Sequence, residues 1–387
     1  MAHGGTMIYF DNAATGGRKP GSVIGAVQAS IEGICANPGR SGHALSVAQA
    51  ENVLRCRKLL CSFFGAEAWE RTVITKNCTE ALNIAIFGIV NACGKRKPHI
   101  VTTAAEHNSV LRPLFFLREE GKIELTVVQP RGGNVLPEDI ADAANENTLA
   151  AVFTLASNVT GAAIDPKAVR ERLPESVYTV CDGAQACGHV RIDMRGAGID
   201  ALCLAGHKGM HGIQGSGALL FSRRFEPAPY MFGGTGSESF NPRMPDFYPD
   251  KLEAGTLSCP AAAALAEGVM YLEDSLERNA GHVLALTEKL IRGLEKIQGI
   301  RVYSRPNPFG IAAFACGGLQ SEFFAQELSD RFGIAVRGGL HCAPLMHEAL
   351  GSGRGGLVRA SLSEFNTERE TEIFLDAAAQ IAWEARG

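Results

Sequence analysis

The chain has 387 residues, 46% of them hydrophobic and 20% charged, with a formal net charge of −4. This is the composition of a globular protein long enough for a large core, as one large domain plus a smaller one. The charge gives no electrostatic reason to expect nucleic acid or acidic membranes as partners, and no apolar run approaches bilayer-spanning length.

Met1 to Thr6 lacks a basic flank and a long apolar stretch, so no secretory signal is expected and a cytoplasmic location is the default. Met7 to Phe10 is a short apolar lead-in to the turn-rich segment Asp11 to Gly17. From Ala44 to Phe64 apolar residues recur at helical spacing, and Gly65 stops that helix. Asn77 caps a second helix that runs to about Val90, with Glu80 three residues on to complete a capping box.

The central region alternates short apolar runs with helical stretches. His99 to Thr103, Leu125 to Val128, Ala150 to Ala156, Val177 to Cys181 and Ala201 to Leu204 read as buried strands. Ser109 to Glu120 and Pro166 to Arg172 read as helices between them. That alternation predicts an α/β fold, a mainly parallel sheet with helices on both faces and ligands beyond the carboxyl ends of the strands. Those ends carry Glu106-His107, Ser157-Asn158, Asp182 and His207-Lys208.

A proline- and glycine-rich stretch, Pro227 to Pro249, precedes a boundary near residues 256 to 260. Ala261 to Glu273 and His282 to Ile297 read as two helices. Arg301 to Tyr303, Ile311 to Cys316 and Ile334 to Val336 read as strands of a smaller α+β domain, closed by an amphipathic helix from Thr367 to Glu384. The expected division is an N-terminal arm at 1–20, a large domain at 21–258 and a small domain at 259–387.

The 11 cysteines include no Cys-x-x-Cys, and no His-Glu-x-x-His pair accompanies them, so neither a metal site nor a disulfide framework is expected. Most are expected to be small buried hydrophobes.

Lys208 follows a buried strand and is flanked by Gly206 and Gly209, which let a ligand approach the backbone. A buried lysine loses its proton readily and attacks aldehydes. Asp182, at the end of the preceding strand, would face it as an acceptor. Pyridoxal phosphate needs this pairing, an amine for its aldehyde and a carboxylate for its pyridine nitrogen. Read alone, Lys208 fits a surface turn and Asp182 a turn cap equally well or better. The helix opened by Asn77-Cys78-Thr79-Glu80 offers backbone N–H groups and a hydroxyl to a phosphate, and Gly233 to Ser237 is a second candidate loop.

Leu204-Ala205-Gly206-His207-Lys208 together with Cys181-Asp182-Gly183-Ala184-Gln185-Ala186 resembles the class V aminotransferases, in their cysteine desulfurase and selenocysteine lyase branch. The likeness starts at Asp11 to Thr15 and continues through 37–43, 79–83, 106–109 and 157–161. It ends with Arg337-Gly338-Gly339-Leu340-His341-Cys342-Ala343 and Val358 to Leu362. It implies the fold-type I architecture, a mainly parallel seven-stranded sheet domain plus a smaller α+β C-terminal domain. It also implies pyridoxal 5'-phosphate as cofactor.

The resemblance implies roles residue by residue. Lys208 would hold the cofactor as a Schiff base and move the α-proton. Asp182 would pair with the pyridinium nitrogen, Gln185 with the phenolic oxygen, and His107 would stack on the ring. Cys78, Thr79 and His207 would serve the cofactor's phosphate end, with Thr235 arriving from the second subunit of a homodimer. Arg359, assisted by Asn158, would grip the carboxylate of an amino-acid substrate. Cys342 would attack the sulfur of cysteine, leaving a persulfide and releasing alanine, and a dedicated acceptor protein would take that sulfur on. Its spacing from Arg337 favours this over an inert thiol. Alternatives are selenocysteine lyase, another lyase or transaminase on the same scaffold, or a non-catalytic sulfur carrier or scaffold. Ala205 departs from the pattern, since relatives often carry Ser or Thr there for the phosphate; the missing hydrogen bond costs about 1 kcal/mol.

Overall fold

The computed structural model describes residues 7–33, 35–39, 41–94 and 97–386. Met1 to Thr6, and Arg40 of the 37–43 motif, lie outside the described residues. The strands are β1 (Ile8–Tyr9), β2 (Thr72–Thr75), β3 (His99–Thr103), β4 (Glu124–Val128), β5 (Thr148–Thr154) and β6 (Tyr178–Asp182). They continue with β7 (Ala201–Ala205), β8 (Gly217–Phe221), β9 (Ile300–Val302), β10 (Ile311–Cys316), β11 (Ile334–Ala335) and β12 (Val358–Ser361). The helices are α1 (Gly21–Glu32), α2 (Ala44–Phe63), α3 (Cys78–Ala92), α4 (Asn108–Glu119), α5 (Pro137–Asp142) and α6 (Pro166–Arg170). After them come α7 (Met194–Ala197), α8 (Cys259–Leu294), α9 (Ser321–Phe332), α10 (Pro344–Leu350) and α11 (Glu368–Glu384).

A seven-stranded sheet runs in the order β2-β8-β7-β6-β5-β3-β4. From β7 across to β4 every pairing is parallel, whereas β8 lies antiparallel to both β7 and β2. Strands β3, β5 and β7 are buried along their whole length, and β5 and β7 read accordingly as near-continuous apolar runs. The expected mainly parallel sheet is therefore present. β2 and β8, unread in the sequence, are the antiparallel addition at one edge.

Successive residues of each strand feed opposite cores. Val101, Phe153, Leu202 and Leu220 pack with Val53 and Leu60 of α2 and the first half of α8. Ile100, Val152, Cys203 and Leu219 pack with Leu82 and Ile86 of α3 and Val110 and Leu114 of α4. A third core lies under the antiparallel sheet β12-β10-β9, filled by Phe314, Phe324, Phe374 and the far end of α8. β1 reaches across to pair in parallel with β11, Ile8 opposite Ile334.

Two local expectations are corrected. The two helices expected between Ala261 and Ile297 are one helix of 36 residues. Its polar middle stays helical because Ser275 bonds back to the Tyr271 carbonyl and Asn279 is tied to Ser275 and Glu364. At α3, Asn77 accepts the Glu80 N–H at 2.9 Å, but Glu80 takes the N–H of Lys76 and not of Asn77, so the box is displaced by one residue. A complete capping box occurs instead at α11, between Thr367 and Glu370.

Candidate active site

A cavity of about 220 Å³ opens beyond the carboxyl ends of β5, β6 and β7. Asp182, Gln185, Lys208, His107, His207, Cys78, Thr79, Asn158 and Arg359 all line it. A larger cavity of about 390 Å³ lies away from these residues. Of the four arginines that line it, Arg170 and Arg195 donate to backbone carbonyls, Arg224 to Asp200, and Arg223 pairs with Glu67.

Asp182 is the last residue of β6 and sits opposite Cys203 of β7. Its Oδ1 accepts the Ala184 N–H at 2.8 Å and the Cys78 thiol at 3.4 Å, so the carboxylate is held from the loop after it and from the start of α3. Lys208 stands three residues beyond β7, partly accessible through the cavity. Burial lowers its ammonium pKa below the usual lysine value, with the charge of Asp182 acting against the shift. An amine so placed is more readily unprotonated at neutral pH.

His107 caps α4. Its Nδ1 accepts the Ser109 N–H at 3.0 Å, which puts the proton of the neutral ring on Nε2. Burial pushes it down to about 4, Asp182 opposing and Lys208, Arg337 and Arg112 adding to the fall. The Ser109 hydroxyl joins Nδ1 at 2.9 Å to the Thr79 hydroxyl at 2.8 Å, tying the ring to the N-terminus of α3. There the N–H groups of Cys78 and Thr79, in the first helical turn, have no partner within the helix. His207 is likewise pushed down to about 4 by burial, and by Lys208 and Lys19. Its Nδ1 meets the Thr15 hydroxyl at 3.1 Å, while its carbonyl accepts from Lys19 Nζ at 3.0 Å.

Arg359 comes from β12 and is 1% exposed. Its guanidinium donates to the Asn158 carbonyl at 2.9 Å and to Asp11 Oδ1 at 3.0 Å, and its buried Nε has no partner among the described residues. Asn158 in turn donates from Nδ2 to the His341 carbonyl at 2.7 Å. The loop bearing Cys342 is thus joined to the arginine through one asparagine. His341 and Cys342 both adopt positive φ, 50° and 59°. Cys342 is half-buried, with an Arg337 N–H 3.8 Å from its sulfur. Burial pushes His341 down to about 2, Arg359 and His347 adding to it, and its buried Nδ1 has no partner among the described residues.

Gln185 donates from Nε2 to the Ala13 carbonyl at 3.0 Å, and Ala205 lines the cavity without a hydroxyl to offer. Thr235 is outside this cavity within one chain. It lines a separate one with Asn37, Pro38 and Gly39, and its hydroxyl lies 3.0 Å from that of Ser237. Asp11 and Ser109 lie in motifs of the sequence that assign them no role, whereas Arg337 is legible there as the neighbour of Cys342. The signal that could have found Ser109 is its place two residues after a histidine that opens a helix, a capping pattern.

The cavity fits the cofactor the sequence implies. Its wall carries a carboxylate, an amine of lowered pKa, a neutral imidazole and free N–H groups at a helix N-terminus, one for each end of a phosphorylated pyridine aldehyde. Beside it, the Nε of Arg359 and Nδ1 of His341 are buried polar atoms left without a partner among the described residues.

The chain matches the family model described as aminotransferase class-V over residues 8–374. A protein named "Probable cysteine desulfurase" from Methanothermobacter thermautotrophicus is 32% identical over 384 residues, covering 97% of this chain and 94% of its own. One of the same name from Pyrococcus abyssi is 31% identical, covering 97% and 94%. The solved apo structure of a cysteine desulfurase from Thermococcus onnurineus superposes with a TM-score of 0.89 at 30% identity, covering 98% of this chain and 95% of that one.

Proposed function

The chain belongs to the aminotransferase class-V family, and on that premise we propose that it is a pyridoxal-phosphate-dependent cysteine desulfurase, releasing L-alanine and taking sulfur as a persulfide on Cys342. The observation that carries this reading is one cavity joining Asp182, Lys208 and Arg359, with the Cys342 loop tied to its wall through Asn158 and His341.

When bound, pyridoxal phosphate supplies an electron sink for charge developing at the substrate α-carbon. Asp182, fixed by Cys78 and Ala184, keeps a proton at the pyridine nitrogen. Lys208 takes the proton from the α-carbon, which its lowered pKa favours. His107, neutral at physiological pH, would pack on the cofactor's ring without placing a second positive charge beside it. The N–H groups of Cys78 and Thr79, the Thr79 hydroxyl and His207 take the phosphate, and Gln185 the phenolic oxygen.

Arg359 takes the substrate carboxylate. Asp11 and the Asn158 carbonyl hold the guanidinium in place, so little side-chain entropy is lost on binding. Cys342 Sγ, as thiolate, forms a bond to the substrate sulfur as the bond between that sulfur and Cβ breaks. The electron pair goes to Cβ, which gains a proton, and alanine leaves.

A homodimer is part of this reading, supported by the exposure of Phe232 (73%) and Phe240 in the 227–249 stretch beside Thr235. So is a sulfur-acceptor protein, supported by the half-buried Cys342 next to the exposed Leu340. No helix among the described residues is long and apolar enough to cross a membrane.

An alanine-release assay with L-cysteine and L-selenocysteine, with and without reductant, tests the function. Alanine formation from cysteine that needs reductant for repeated turnover supports it. Pyruvate and ammonia in place of alanine would replace it with a β-elimination lyase, and alanine from selenocysteine alone with a selenocysteine lyase.

A further inference from the structure

A buried histidine–carboxylate contact lies outside the cavity, between the turn that carries Lys208 and the segment that follows Arg359. His211 Nε2 and Glu364 Oε1 are 2.8 Å apart, with side chains only 5% and 9% exposed. His211 donates its backbone N–H to the Lys208 carbonyl at 3.0 Å, so the histidine closes the lysine turn. Glu364 follows β12, the strand that presents Arg359.

His211 holds a φ of 57°, in the left-handed region that few residues with a Cβ occupy. The surroundings are specific. Tyr271 and Phe365 meet the imidazole edge-on, with centroids 5.2 and 5.9 Å away. Asn279 of α8 donates to the same carboxylate oxygen at 3.3 Å. Burial alone would raise the Glu364 carboxyl, but the hydrogen bond and charge of His211 outweigh it and hold it below its usual value.

The lysine turn is also locked to the loop after Asp182. A Cβ at Gly188 would lie 2.2 Å from the Gly209 carbonyl, and one at Gly209 would lie 2.7 Å from the His189 ring. The loops that follow Asp182 and β7 are therefore in close backbone contact at these two glycines. Glu364 is the carboxylate through which the C-terminal segment is joined to the lysine turn.

We propose that His211 and Glu364 are positioning residues, a buried link that fixes the separation of Lys208 from Arg359 and so sets the reach of the site for an amino acid's carboxylate. The proposal rests on the reading of the cavity as an amino-acid site. Neither residue lines the cavity, so loss of the link leaves the cofactor's own contacts in place.

The test uses the holoenzyme with Glu364→Gln, which keeps the shape and one acceptor, with His211→Gln, and with the double variant. Each single change should raise KM for L-cysteine tenfold or more, with kcat within threefold and the cofactor's visible absorbance unchanged. The double variant should be no worse than the more affected single. Amide hydrogen exchange supplies a readout independent of turnover. Glu364→Gln should speed exchange in residues 206–213, and His211→Gln in residues 358–363, each across the link from the change. Exchange that rises only around the substituted residue, or crosses over with KM unmoved, overturns the proposal. Should a glutamine variant not fold, Glu364→Asp, which keeps the charge and shortens the reach, is read in the same way. A wild type that turns over no cysteine sinks the functional reading, while the exchange comparison still decides the link.

Discussion

The backbone N–H of Asn108 donates to the carbonyl of Cys342 at 2.7 Å, so the first residue of α4 holds the loop that carries the thiol. That N–H has no partner inside the helix, and His107 before it is extended, φ −71° and ψ 155°, as a residue preceding proline prefers. Proline is tolerated at a first helical position. Asn108→Pro should therefore leave α4 intact while its ring carbon replaces the hydrogen and pushes the Cys342 loop away. The expected result is a desulfuration rate at least tenfold lower, with cofactor absorbance and melting temperature close to wild type. Equal activity would show that this contact does not place the thiol.

Cys342→Ala should abolish alanine release from L-cysteine and leave cofactor absorbance unchanged, since the cavity wall does not include this side chain. Cleavage of selenocysteine should be partly spared, because selenium leaves more easily than sulfur. Mass spectrometry of the wild type after one turnover should find a single added sulfur on the peptide containing Cys342.

Asp11 and Arg359 form an ion pair in which the arginine is almost wholly buried. Removing one partner of such a pair leaves an under-compensated charge and costs on the order of 3 kcal/mol. Asp11→Asn should lower thermal stability and raise KM for cysteine by about tenfold or more, with a smaller change in kcat, measured by melting curves and initial rates.

Glu106 is fully buried, and burial pushes its carboxyl up to about 8, although the Thr103 hydroxyl and the Thr154 N–H act against the shift. Between the unfolded pKa of about 4.3 and about 8 the folded state binds the proton and the unfolded state does not. Stability attributable to this group therefore falls as pH rises through that window. Glu106→Gln, neutral throughout, should gain stability over the wild type from pH 5 to pH 8 and no further above it. A difference in melting temperature that does not change with pH would sink the assignment.

Ala205→Ser would restore a hydroxyl on the cavity wall beside His207. One neutral hydrogen bond of about 1 kcal/mol corresponds to roughly fivefold tighter cofactor binding, readable by titrating the apoprotein with pyridoxal phosphate.

The sheet was legible where burial on both faces made each strand a run of apolar residues, as at β5 and β7. β2 and β8 escaped because four residues, Thr72–Thr75, and a run that opens on Gly217 resemble linker until their antiparallel pairing is seen. The break expected in α8 came from polar residues at 274–281, and tertiary partners such as Glu364 resolve them. The same logic divides the cavity. Lys208, Asp182 and His107 are found at strand ends by the resemblance as a set, since each alone reads as a turn or cap residue. Asp11 on Arg359 and Glu364 on His211 join positions 348 and 153 residues apart, which no local pattern encodes.

Helix α8 belongs to two cores at once, with Leu265 and Leu272 against the large sheet and Leu290 and Leu294 under the antiparallel one. For a chain emerging from the ribosome, this sets an order of events. On the face of the large sheet that α8 shares with α2, the patch that α8 fills can be closed only once residues past 276 have been made. The far end of α8 then offers a surface against which β9, β10 and α11 pack.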